Sequence, residues 1–80
     1  MLSHHLPLNM VPPGEEVKIV SVRAGRGLSQ RLADMGLIPG TPLKVINSQG
    51  AGPILVSFRG ARLALGFGIA RKIMVERKGD

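Results

Sequence analysis

Ile54-Leu55-Val56-Ser57-Phe58-Arg59-Gly60-Ala61-Arg62-Leu63-Ala64-Leu65-Gly66-Phe67 is the stretch from which the fold can be read. Apolar residues recur at every second position on both sides of Gly60-Ala61, the period of a half-buried strand. A two-residue loop that opens with Gly suits a type II′ hairpin turn. With Gly60-Ala61 as that loop, Arg59 stands opposite Arg62, Phe58 opposite Leu63, Val56 opposite Leu65 and Ile54 opposite Phe67. Each apolar residue of one arm then meets an apolar residue of the other, so the register supports itself. A slip of one position would set Phe58 against Arg62. The facing arginines cost about a few tenths of a kcal/mol, much of it screened by water at a hairpin tip.

Outward from the hairpin, Gly50-Ala51-Gly52-Pro53 reads as a loop and Leu43–Asn47 as a strand. Pro39-Gly40 before it carries the signature of a type II turn, with Gly at the position that needs φ > 0. The same layout occurs earlier: Pro13-Gly14 precedes Val17-Lys18-Ile19-Val20 as Pro39-Gly40 precedes Leu43-Lys44-Val45-Ile46. Glu15–Arg23 is therefore the first strand, with Val17 and Ile19 on one face and Lys18, Val20 and Val22 on the other. Residues 1–7 show no periodicity and read as a loose lead-in. On the C-terminal side a turn through Ile69-Ala70 leads to a last strand, Lys72–Arg77, with Ile73 and Val75 inward; residues 78–80 are tail.

Between the first two strands, Gly25-Arg26-Gly27 breaks the chain and Leu28–Met35 reads as a helix. Leu28, Leu32 and Met35 fall at i, i+4 and i+7 and share a face. Gly36 suits a left-handed residue just past the helix end, and Pro39 follows. A helix of barely two turns must borrow its stability from a sheet. About five short strands, one short helix inserted after the first, and dense Gly/Pro turns predict a single all-β domain over residues 1–80, a small, partly open barrel of the SH3-like or OB-like kind.

Composition narrows the function. The chain has 80 residues, no Cys, and 11 Lys+Arg against 5 Asp+Glu, a net charge of +6. Missing Cys removes disulfides, iron–sulfur clusters, Cys-based zinc sites and thiol nucleophiles. The charge favours an acidic partner: nucleic acid, an anionic membrane leaflet or an acidic protein face. With Phe58 and Phe67 as the only aromatics, a stacking platform for single strands is lacking. The longest uncharged runs, Met1–Gly14 and Val45–Phe58, fall short of the roughly 20 apolar residues of a spanning helix. No signal-peptide pattern opens the chain, so the expected location is the cytoplasm.

Catalytic motifs fail in turn. After Gly25-x-Gly27 and Gly66-x-Gly68 the third glycine of a dinucleotide fingerprint is replaced by Gln30 and Arg71. Glu15 and Glu16 are strand neighbours that point to opposite faces, and no Ser, His and acid fall in a triad order. The metal candidates are His4 and His5, whose rings diverge on an extended chain; a firm site needs three or four donors, so an adventitious divalent transition metal is all that they suggest. Arg31 and Asp34, at i and i+3, are expected to pair.

Pro13-Gly14, the run Arg31-Leu32-Ala33-Asp34-Met35-Gly36-Leu37-Ile38-Pro39-Gly40-Thr41, then Gly52-Pro53-Ile54, Phe58-Arg59-Gly60-Ala61-Arg62-Leu63-Ala64-Leu65, and Ala70 with Ile73 and Val75 together carry a resemblance. From Leu8 to Glu76 the chain resembles the ferrous iron transport protein A family, FeoA. Gly66-Phe67-Gly68-Ile69 stands where several relatives carry Arg and acidic residues. The resemblance implies an SH3-like barrel with a small helical insertion. It implies a cytoplasmic, non-enzymatic accessory protein that regulates FeoB, a membrane permease with a cytosolic GTP-binding domain, by contact and without a required cofactor. Docking is then expected through Leu28, Arg31, Met35, Leu37 and Pro39 of the helix and turn and Arg59 and Arg62 of the hairpin, with Gly14, Gly36, Gly40 and Gly60 as structural turns. A nucleic-acid-binding barrel, and the metal-sensing SH3-like domain of iron-dependent repressors, are the alternatives.

Overall fold

Alternating burial along the strands builds the architecture. The computed structural model describes residues 5–48 and 50–78. In chain order these form β1 (His5–Pro7), a 3₁₀ turn (Leu8–Met10), β2 (Glu16–Val22), α1 (Arg26–Asp34), β3 (Pro42–Asn47), β4 (Ile54–Phe58), β5 (Ala61–Leu65), the single-turn helix α2 (Phe67–Ala70) and β6 (Ile73–Arg77). The six strands make one antiparallel sheet in the order β1-β6-β2-β3-β4-β5, curled into an SH3-like barrel. Val17, Ile19, Val45, Ile54, Val56, Ile73 and Val75 point inward and are fully buried, joined by Leu32 from α1 and Leu37 from the turn after it.

The structure revises the sequence reading in five places. Residues 5–7 are not a loose lead-in: they pair with β6, Leu6 opposite Val75, and Leu8 beyond them is fully buried. Main-chain pairing along the outer edge of β6 orders a segment too short for a period to show, and Pro7 is tolerated because it lies on an edge strand. The hairpin loop is Arg59-Gly60, with φ of 53° and 79°, a pair of positive values that suits a type I′ turn. Ile54 therefore faces Leu65, Val56 faces Leu63, Phe58 faces Ala61 and Ser57 faces Arg62. The register moves by two, so the same residues keep the same face and Arg59 no longer opposes Arg62. In β2 a bulge between Ile19 and Ser21 against β6 brings Val22 opposite Ile73 and onto the core side. Helix α1 starts at Arg26, with Gly25 as its N-cap, so Arg26 and Gly27 belong to its first turn. Ile69 and Ala70 lie in α2, and Ala70 is buried.

Three turn glycines behave as their φ requirement predicts. Gly14, Gly36 and Gly40 have φ of 92°, 91° and 95°. Gly14 donates to the Val45 carbonyl at 2.7 Å and Gly40 to the Ile19 carbonyl at 2.7 Å, so the two Pro-Gly turns tie β2 and β3 together at both ends of their pairing.

Candidate docking surface

Helix α1 lies over the core through Leu32, with half-buried Leu28 beside it. At 100° per residue, Arg31 and Met35 fall on one flank and Arg26, Gln30 and Ala33 on the other. The helix ends at Gly36, which donates to the Ala33 carbonyl at 2.9 Å, while the Leu37 N–H reaches back to the Leu32 carbonyl at 2.9 Å. This left-handed cap turns the chain and drops Leu37 into the core.

Thr41, the one buried polar residue among the described residues, staples the turn that follows. Its hydroxyl donates to the Gly36 carbonyl at 3.1 Å and accepts from the Ile38 N–H at 3.3 Å. Ile38 and Met35 are left 45% and 44% exposed on the outside of this bend, large apolar side chains with no core to cover them.

The hairpin tip closes on the same bend. Phe58 packs its ring against Gly36, and the Arg59 guanidinium carbon lies over that ring, 5.2 Å from the centroid. Phe58 and Arg59 thus close on Gly36 at the end of α1, next in sequence to the exposed Met35.

Of the seven residues expected to dock, Leu37 is 1% exposed and cannot touch a partner; its place in the core follows from the helix cap. Leu28 is half-buried against the core, whereas Arg31, Met35, Pro39 and Arg59 are exposed. Arg62 stands apart. It is exposed on the outer face of the sheet, in a row with Ser57 and Lys44, and lines a shallow depression with Gly14 and Ile46. Asp34 accepts a hydrogen bond from Gln30 at 2.9 Å and is not paired with Arg31. Among the described residues the ion pairs are Arg77–Glu15 at 2.9 Å and Lys78–Glu16 at 3.2 Å, both exposed at the start of β2.

Among the described residues no three or more of His, Asp or Glu gather closely enough to hold a metal ion. His5 is exposed opposite Glu76, and His4 lies outside the described residues. Sequence reading placed Phe58 in the hairpin and Thr41 after the second turn but assigned neither a part in the docking surface. Their signals, a Thr three residues after the turn's Ile38 and a Phe next to a positive-φ Arg, acquire meaning only once the hairpin and helix end are brought together.

Comparison with known proteins identifies the family. The FeoA domain matches residues 6–77. A protein of Methanocaldococcus jannaschii, "Putative Fe(2+) transport protein A", is 47% identical over 70 residues, covering 88% of this chain and 84% of the relative. The crystal structure of an iron uptake regulatory protein, FeoA, superposes with a TM-score of 0.82 at 35% identity, covering 92% of this chain and 97% of the other. In fold alone, the chain also resembles the zinc-complexed FeoA of Stenotrophomonas maltophilia, described as a prokaryotic SH3 domain protein, with a TM-score of 0.75, 24% identity and 88% of each chain covered. The barrel, its helical insertion and these matches together make the chain a member of the FeoA family, associated with ferrous iron transport.

Proposed function

We propose that this protein is a non-enzymatic accessory factor of ferrous iron uptake that works in the cytoplasm by contact with a FeoB-type permease. The observation that carries the reading is the stack of Arg59 on Phe58 against Gly36 at the end of α1, with the exposed Met35 next in sequence and Arg31 on the same flank of the helix as Met35. An aromatic-backed arginine beside an exposed apolar side chain is the composition of a protein-docking hot spot. The reading requires no bound metal or cofactor, and the positive charge suits work close to anionic lipids at the membrane surface.

Co-purification with the permease from membranes tests it. The wild-type chain is expected to co-purify, and Arg31→Glu with Arg59→Glu to abolish co-purification and impair iron uptake while the far-ultraviolet dichroism stays unchanged. Retained binding by the folded double variant would overturn the assignment of this face, and failure of the wild-type chain to bind would overturn the contact mechanism.

A further inference from the structure

The opposite flank of α1 borders a second surface. Strands β2 and β6 run antiparallel, and their two ends are built differently. At the start of β2, Glu15 and Glu16 neutralise Arg77 and Lys78. At its other end the Arg23 N–H donates to the Lys72 carbonyl at 2.7 Å, which sets two cationic residues side by side with Arg71 next in sequence and Arg26 three residues on from Arg23. Among the described residues none of these four forms an ion pair. The fold supplies counter-charges at one end of the strand pair and leaves the other end bare, although like charges held together repel.

Next to this bare end, between α1 and β2, lies a groove of about 410 Å³. Val22, Ala33 and Pro39 give it apolar walls over the buried Leu37, Arg26 stands in its lining, and the exposed Ile38 forms part of it. Its helical residues Arg26, Gln30 and Ala33 lie across α1 from Arg31 and Met35, so it opens on the other flank of the helix and meets the face proposed to contact the permease only at the bend residues Ile38 and Pro39.

We propose that this groove and the Arg23–Arg26–Lys72 corner form a docking site for an acidic protein segment that carries an apolar side chain. Charge complementarity selects carboxylates at Arg23, Arg26 and Lys72. The concave apolar slot beside them selects a side chain that can enter it, which favours a peptide over a flat lipid surface.

The test is a titration of the ¹⁵N-labelled full chain with a synthetic peptide of central leucines flanked by acidic residues. The amides of Val22, Arg23, Arg26, Ala33, Ile38 and Lys72 are expected to shift together. Arg26→Glu should weaken binding by about tenfold or more. Ala33→Gln, which obstructs the slot without changing charge, should weaken it by a similar factor, and Lys44→Glu on the outer sheet face should leave it unchanged. Arg23→Gln, an exposed position, carries the same expectation as Arg26→Glu should that variant fail to fold. Equal binding of a peptide with serines in place of the leucines would reduce the site to bulk charge and overturn the proposal. Comparable shifts at Lys44 and Arg62 would do the same. Shifts at these six amides with phosphatidylserine vesicles but not with the peptide would replace a peptide site with a lipid one.

Discussion

Phe58 closes on Gly36: a Cβ added at Gly36 would lie 3.0 Å from the Phe58 Cζ. This contact joins the tip of the β4–β5 hairpin to the end of α1, elements that are neighbours neither in sequence nor in the sheet. Gly36→Ala meets two obstacles, the ring and a φ of 91° that L side chains rarely adopt. The expected loss is about 1–3 kcal/mol, read as a lower urea midpoint with an unchanged slope. In the Phe58→Leu background the ring is gone, so Gly36→Ala should cost less there than in the wild-type chain; a strictly additive pair would show that the two residues do not bear on each other.

Arg59 sits at φ 53°, in the left-handed region, at the first position of a turn that prefers Asn-Gly. The left-handed backbone costs a residue other than Gly or Asn about 1 kcal/mol, and an exposed cation–π contact returns about 0.5 kcal/mol. Arg59→Asn should therefore raise the melting temperature slightly while weakening attachment to the permease. Stability and docking are expected to move in opposite directions, and a variant that loses both would mean that Arg59 is held for structural reasons.

The hairpin explains how much of this fold was legible in the sequence. Both the expected register and the observed one set apolar residues against apolar residues, because a shift of two preserves the alternation of faces. Side-chain pattern therefore identified the strands and their inward residues but could not choose between loops. The observed loop sets Arg59 in the left-handed region with its guanidinium over Phe58, whose ring in turn meets Gly36 at the end of α1, a long-range contact that no local pattern displays. Of the residues expected to dock, Arg31, Met35, Pro39 and Arg59 are exposed, whereas Leu37 follows the helix cap into the core, which the apolar pattern alone does not distinguish from a surface position. Strand β1 was invisible for another reason, since three residues that gain their order from the edge of β6 carry no period of their own.

Thr41 holds the bend that presents Ile38. Thr41→Val keeps the shape and removes both hydrogen bonds, leaving the Gly36 carbonyl and the Ile38 N–H without their present partner. A loss of about 1–3 kcal/mol is expected, with Thr41→Ser costing less because it retains the hydroxyl. Hydrogen exchange provides a local check: the Ile38 amide should lose protection in Thr41→Val before the amides of β3 and β4 do. Simultaneous loss across the sheet would show that the bend and the barrel open as one unit.

Arg62 stands differently in the two hairpin registers, and its charge reversal carries a different expectation for each. Had the loop been Gly60-Ala61, Arg59 and Arg62 would face each other and a partner that touched one would touch both. In the observed register Ser57 lies opposite Arg62 and Lys44 opposite Ser57, on the outer face of the sheet, while Arg59 stacks on Phe58 beside Gly36. Charge reversal at the two positions should therefore separate: Arg59→Glu is expected to abolish co-purification with the permease, and Arg62→Glu to leave it within about twofold of wild type, the small residue reflecting only the change in overall charge. Because Arg62 is exposed and makes no ion pair among the described residues, its substitution should also change stability by less than about 0.5 kcal/mol. Equal loss of binding in the two variants would mean that the partner reads the outer face of the sheet, and the docking face would then have to be moved from the end of α1 to the row formed by Lys44, Ser57 and Arg62.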